Sequence, residues 1–367
     1  MRRRDFIKTA SGTAAAGMVA AAASSFPKPA IAQGKKELKM VTSWPKNFPG
    51  LGTAANRLAK RIEDMSDGKY SIKVFAGGEL VHPLKCLDAL QEGVADLYHS
   101  ADYYYQGKSK AFNFFAGVPF GLTASEINAW IYHGGGQALW DELAGQFGVK
   151  PLMGGNTAVQ MGGWFRKEMN TVEDFKGLKM RIPGLGGAVV TKLGGTSVTL
   201  AGGEIFQALQ AGTIDATEWV GPWNDLAFGF YKVAKYYYYP GFHEPGTILS
   251  FGLSKKLWDG ASASEKAMFE AAAAAENVIN RAEFDANNSS ALDVLVNKHK
   301  VQVRQYPNDV LQAIGQASGE VVRESADGDP FTKKVYDSFI EFRRISIGWS
   351  KLSDQAFANA RLLPFKF

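Results

Sequence analysis

One cysteine, Cys86, in 367 residues leaves no partner for an internal disulfide and no cysteine-based zinc site. The five histidines, His82, His99, His133, His243 and His299, are scattered without metal-ligand spacing and read as structural. There is no Gly-x-Ser-x-Gly elbow, no Gly-x-x-x-x-Gly-Lys phosphate loop and no His-Glu-x-x-His zinc helix. Gly184-Leu185-Gly186-Gly187 fails as a dinucleotide loop because Val189 stands where the last glycine should be; it reads as the turn that starts a helix after Pro183. Hydrolytic and nucleotide chemistry of the common kinds therefore has no footing. No later segment is both long and uncharged, which argues against a membrane-embedded body.

The N-terminus is the exception in composition. Met1-Arg2-Arg3-Arg4-Asp5-Phe6-Ile7-Lys8 sets a basic cluster ahead of a small-residue apolar run from Thr9 to Ala23. This is the layout of an export signal, and Arg3-Arg4 with the residues after it resembles a twin-arginine signal. Ala30-Ile31-Ala32 offers a cleavage site, so residues 1–32 are expected to be removed; the alternative is an uncleaved N-terminal anchor. Those 32 residues carry +4 of the chain's formal +5, so the remainder is nearly neutral. With no concentrated basic face, nucleic acid is not an expected partner. A mature chain of about 335 residues exceeds one ordinary hydrophobic core and predicts two lobes.

An internal repeat locates them. Ala76-Gly77-Gly78-Glu79-Leu80 recurs as Ala201-Gly202-Gly203-Glu204-Ile205, and Ala89-Leu90-Gln91-Glu92-Gly93-Val94-Ala95-Asp96 as Ala208-Leu209-Gln210-Ala211-Gly212-Thr213-Ile214-Asp215. Each copy reads as a β-rich run, a glycine turn, a short helix ended by a left-handed glycine, and an aspartate opening another strand. Strands alternating with helices predict parallel α/β lobes, whose ligands sit beyond the carboxyl ends of the strands. Tyr98 to Tyr105 and Thr217-Glu218-Trp219 should then face each other across a cleft.

Pro49 to Met65 is amphipathic and predicts a helix. Gln160 to Phe165, Leu178 to Ile182 and Tyr236 to Tyr239 read as strands, the last an edge-packed one. Thr171 caps a helical turn. Ser262 and Glu265 have capping-box spacing ahead of an alanine-rich helix running to about Leu295, long enough to span both lobes. Phe331 to Leu363 is helical by period, with Phe339, Phe342, Ile345, Trp349 and Phe357 as exposed-looking apolar residues. Such a helix either packs on a partner subunit or folds back onto the body.

At Gln160-Met161-Gly162-Gly163-Trp164-Phe165, at Gly177-Leu178-Lys179-Met180-Arg181-Ile182-Pro183-Gly184 and at Ile214-Asp215-Ala216-Thr217-Glu218-Trp219-Val220-Gly221-Pro222, the chain resembles the solute-binding proteins of tripartite ATP-independent periplasmic (TRAP) transporters. The similarity runs over essentially the whole mature chain. Within that family it resembles the branch that binds 2-oxo or 2-hydroxy monocarboxylates together with a cation. The resemblance implies a two-lobed α/β periplasmic binding protein with mixed or parallel sheets, a lobe-spanning helix and C-terminal helices. It implies lobes at 33–157 with 248–290 and 158–247 with 291–330, and a helical extension at 331–367. It also implies a non-enzymatic role: capture of a small organic acid and delivery to a membrane permease.

The implied residue roles can be checked against chemistry. Arg181 matches the arginine that grips the ligand carboxylate, a task suited to its planar fork; Lys179 and Arg166 read as solvated charges. Gln160, Glu218, the backbone carbonyl of Trp219 and Glu244 match the cation ligands, all oxygen donors suited to Ca²⁺ or Na⁺. Two carboxylates favour Ca²⁺. Trp219, Tyr103 and Tyr104 are expected to wall the pocket, with Asn156 and Trp44 as further candidates. The implied quaternary state is a homodimer through the C-terminal helix. Metal-independent binding of a dicarboxylate or sugar acid, and a periplasmic lyase or isomerase, are the rival readings.

Overall fold

The computed structural model describes residues 34–366; the expected signal segment 1–32 lies outside them. One sheet contains β1 (Lys36–Thr42), β2 (Tyr70–Phe75), β3 (Leu97–Ser100), β4 (Val149–Asn156) and β10 (Ile248–Ser254), in the order β2-β1-β3-β10-β4. The other contains β5 (Gly163–Phe165), β6 (Lys179–Arg181), β7 (Thr196–Val198), β8 (Ala216–Thr217), β9 (Tyr236–Tyr239) and β11 (Gln302–Gln305), in the order β11-β9-β5-β8-β6-β7. The chain passes from the first sheet to the second after β4 and returns after β9.

The two sheets are mixed, as the resemblance implies, and not wholly parallel as the alternation of strands and helices suggests. β1 and β3 are parallel, as are β6 with both β7 and β8. But β10 runs against β3 and β4, and β5 runs against β8 and β9. These two strands are where the chain enters a sheet after crossing from the other, with no helical crossover to reverse its direction.

The internal repeat is structural as well as textual. Glu79 Oε2 accepts the Ala76 amide and Glu204 Oε2 the Ala201 amide, each at 2.9 Å. Gly93 and Gly212 both end their helices at φ 71°, where a side chain would be strained. Asp96 Oδ2 then accepts the Lys39 amide of β1 at 2.9 Å, and Asp215 Oδ2 the Lys179 amide of β6 at 3.0 Å. The carboxylates lock equivalent strand pairs in register, Met40 opposite Leu97 and Met180 opposite Ala216. Whatever follows β3 and β8 is therefore presented at matching ends of the two sheets.

The helix Gly52–Met65 buries Ala54, Ala55, Leu58 and Ile62. The helix Ala263–Asp293 starts from the Ser262/Glu265 capping box. It packs on β4 and on helix Gly52–Met65 of the first lobe, and also on helix Pro222–Phe228 of the second. Three expected elements differ. Only Gly163–Phe165 of the predicted 160–165 strand is extended, because the residues before it make the crossing between sheets. Tyr236–Tyr239 is an interior strand paired on both sides, by β5 and β11. The predicted helix from Phe331 to Leu363 divides into Pro330–Ser350 and Asp354–Ala360. Within it Phe339 is buried, edge-on to Trp130 and Phe114, whereas Ile345, Trp349 and Phe357 are exposed. Among the described residues no helix is long and apolar enough to cross a membrane.

Candidate functional site

Arg181 is the last residue of β6, and the parallel register sets it opposite Thr217 of β8. Beyond the sheet's end the strand carbonyls have no ladder partner, and the guanidinium uses them. Its Nε donates to the Leu200 carbonyl at 3.2 Å, and its Nη1 donates to the Glu218 carbonyl at 3.4 Å and closely to Glu218 Oε1. The indole of Trp219 lies 5.0 Å beneath the guanidinium carbon. Arg181 is buried, held in one place by residues that follow β7 and β8.

The first lobe supplies the opposite wall. After β3 the chain turns through Asp102–Tyr105, and Tyr104 Oη accepts from Arg181 Nη2 at 3.4 Å across the cleft. Tyr103 packs edge-on against Tyr104 at 4.8 Å. Burial pushes the Tyr104 phenol up to about 12, and Tyr103 is raised well above its ordinary value for the same reason. Both stay protonated donors at neutral pH. Gly184, at φ 61°, has no room for a side chain: a Cβ there would meet Asn113 Oδ1 at 2.9 Å and Tyr103 Cβ at 3.2 Å, so the two lobes touch closely here.

The two crossing segments form the floor. Gln160, between β4 and β5, donates through Nε2 to Glu244 Oε2 at 2.7 Å and to Thr157 Oγ1 at 3.0 Å. Thr247 Oγ1 donates to the same Glu244 oxygen at 2.5 Å. The backbones pair too, Gln160 N with the Glu244 carbonyl at 3.2 Å and Gly241 N with the Gln160 carbonyl at 3.0 Å. This leaves Gln160 Oε1 and Glu218 Oε2 buried without hydrogen bonds. Such groups are costly unless something else satisfies them.

Electrostatically the floor is acidic. Burial, reinforced by the neighbouring Glu218 charge, pushes the Glu244 carboxyl up to about 7. His243 Nε2 stands 3.3 Å from Glu218 Oε2 without the alignment of a hydrogen bond. Burial pulls the pKa of His243 down, but the Glu218 carboxylate outweighs it and holds it above the ordinary value. One ligand atom from each of Glu218, His243 and Glu244 lies within 4.8 Å of the others. Oxygens from Gln160, Glu218 and Glu244, two of them on orphaned atoms, fit a hard cation of the Ca²⁺ or Na⁺ type.

The structure thus brings Gln160, Arg181, Glu218, Trp219, Glu244, Tyr103 and Tyr104 together. Trp44 joins them, its Nε1 donating to His99 Nδ1 at 2.7 Å. Asn156 does not. Its Oδ1 accepts from Ala158 N at 2.8 Å and its Nδ2 donates to the Gly246 carbonyl at 3.3 Å, so both ends of the amide hold the crossing segments. The cavity wall includes Leu51, Thr157, Thr247 and Leu249, which sequence reasoning did not name. His243 was passed over as structural; its position beside Glu244 was the available signal.

Residues 40–329 match the family model described as bacterial extracellular solute-binding protein, family 7. The chain belongs to that family, the solute-binding proteins of TRAP transporters. It is 38% identical over 360 residues to a monocarboxylate 2-oxoacid-binding periplasmic protein from Nostoc sp., covering 98% of each chain. Among solved structures it is similar to a TRAP periplasmic solute-binding protein from Pseudoalteromonas atlantica with bound sodium and pyruvate. There the TM-score is 0.86 and the identity 39%, over 90% of this chain and 100% of that one. One from Colwellia psychrerythraea with bound calcium and pyruvate gives TM-score 0.86 and 39% identity, over 89% and 99% of the respective chains.

Proposed function

We propose that this protein captures a small 2-oxo or 2-hydroxy monocarboxylate together with a cation in the periplasm and passes it to the membrane permease of a TRAP transporter. The observation that carries this reading is the convergence of Arg181 with Gln160, Glu218 and Glu244 in one buried cleft. Arg181 holds the acid's carboxylate through its fork. A cation held by Gln160, Glu218, Glu244 and the Trp219 carbonyl supplies charge for the acid's second oxygen, favouring 2-substituted acids over plain fatty acids. Two carboxylates among the ligands favour Ca²⁺ over Na⁺. The acid bridges lobes formed by 33–157 with 248–290 and 158–247 with 291–330, and closure traps it. No covalent step is involved. The Nostoc relative, a monocarboxylate 2-oxoacid-binding protein, and the two solved structures, which hold pyruvate with sodium or with calcium, support the same ligand class.

The helical extension, 331–367, carries Ile345, Trp349, Leu352 and Phe357 on its exposed surface and is the proposed contact between two copies. Calorimetric titration with pyruvate, 2-oxobutyrate and lactate tests the reading. Saturable binding that disappears with a chelator is expected; no binding of any of the three, or their turnover, would remove it.

A further inference from the structure

The chain between β1 and helix Gly52–Met65 belongs to the first lobe, yet it is packed into the second. Phe48 is only 8% exposed, and its cover comes from across the cleft. Its ring stacks on Phe228 at 4.2 Å and meets Trp219 edge-on at 6.4 Å. The carbonyl of Pro49 accepts from Asn224 Nδ2 at 3.0 Å, and that of Gly50 accepts from Asn280 Nδ2 of the long helix at 2.5 Å. Gly50 has φ 68°, and a Cβ on it would lie 2.7 Å from Phe284 and 2.8 Å from Trp223. Across the cleft, Phe48, Pro49 and Gly50 are thus keyed onto the helix Pro222–Phe228 and Trp219, while Asn280 and Phe284 of the long helix hold Gly50 from its own lobe.

Both ends of this loop are tied to its own lobe. Trp44 is held by His99, and Thr53 N donates to the Phe48 carbonyl at 3.1 Å. Trp44 and Leu51, at its two ends, line the cavity. Phe228 and Trp219 lie on the second lobe, so the cover of the Phe48 ring depends on the two lobes being together.

We propose that Trp44–Leu51 is an interlobe latch and that Phe48 is a positioning residue that sets how tightly the closed protein holds its acid. The proposal rests on capture by lobe closure as described above. A contact made only in the closed state shifts the open-closed balance and so raises the apparent affinity of every ligand that needs closure. Because Phe48 acts through its packing on Phe228 and Trp219 and offers no polar group to the acid, it raises all of them by the same factor. Arg181 and the cation ligands, by contrast, discriminate among acids.

The test is Phe48→Ala, with Phe228→Ala as the matching change on the other lobe, titrated with pyruvate, 2-oxobutyrate and lactate in Ca²⁺. Losing a stacked aromatic pair is expected to weaken all three acids by a common factor of roughly 10 to 100. The double variant should be no worse than either single one. In Phe48→Ala the ligand-free melting temperature should stay at the wild-type value while the rise caused by pyruvate and Ca²⁺ shrinks; Phe228→Ala, which also loses its packing on Trp219 and Phe230 in its own lobe, is read by affinity alone. Wild-type affinity in both variants, unequal factors for the three acids, or an equal drop in ligand-free and loaded melting temperatures of Phe48→Ala would overturn the latch. Failure of the wild-type protein to bind any of the acids would instead remove the proposed function itself.

Discussion

Replacing Arg181 by Met removes the guanidinium that bonds Glu218 Oε1, together with the donors to Leu200 and Tyr104. The methionine stem fills similar space, so the change isolates charge and fork from volume. Two carboxylates, that of Glu218 and that of the acid, are then left in a buried site without their shared partner. Breaking a buried pair in this way costs about 3–5 kcal/mol. Pyruvate affinity should fall by roughly 150- to 5,000-fold. Arg181→Lys keeps the charge, but a single ammonium cannot serve the Leu200 carbonyl, the Glu218 carboxylate and the Tyr104 hydroxyl together, so it should recover only part of the loss. The assay is isothermal titration with pyruvate in Ca²⁺, with circular dichroism confirming the fold of each variant. If folded Arg181→Met binds pyruvate within roughly threefold of wild type, the carboxylate is held elsewhere and the reasoning fails.

Glu244→Gln removes one of the two carboxylates on the cleft floor, so pyruvate binding should weaken more in Ca²⁺ than in Na⁺; an unchanged Ca²⁺ response would take Glu244 out of the ion site. Asp225, under the second lobe, accepts from Tyr237 Oη at 2.6 Å and Trp164 Nε1 at 2.9 Å, and burial pushes its pKa up to about 7. The folded state therefore binds this proton more tightly than the unfolded chain, where aspartate titrates near 3.9. The stability this contributes is complete below about pH 4 and is lost as pH rises through about 7, an upper bound of about 4 kcal/mol. Asp225→Asn should flatten the decline in urea-unfolding free energy between about pH 4 and 7; an unaltered slope would show that Asp225 does not titrate in this way. Trp349, 71% exposed, anchors the proposed contact between copies. Trp349→Asp should convert a dimer to a monomer in light scattering, and a monomeric wild type would refute the contact.

Local signals in the sequence carried much of the architecture. The paired glycine turns, the left-handed Gly93 and Gly212, and the capping boxes at Thr171 and Ser262 act over a few residues, and each formed as the spacing predicts. The matching of Asp96 and Asp215 was legible for the same reason, since each carboxylate serves the strand beside its own. Strand direction was not legible. β5 and β10 run against their neighbours because of where the crossings deliver the chain, a global property that alternation of elements does not encode. Phe339 has the period of an exposed face and is buried because helices far away in sequence supply Trp130 and Phe114. The site shows the same division. Arg181, Glu218 and Gln160 were reached through the family resemblance, whereas His243 and Leu249 entered the cleft only through the second crossing. Asn156 had a plausible side chain for a ligand, but the backbone of the crossings uses it first.

The most direct measurement is the crystal structure of the protein grown with pyruvate and Ca²⁺, with the ion located by its anomalous signal. The account predicts a single site bounded by Gln160 Oε1, Glu218, Glu244 and the Trp219 carbonyl, with the pyruvate carboxylate on the Arg181 fork. A peak elsewhere, or an Arg181 still committed to Glu218 with pyruvate bound away from it, would contradict the account.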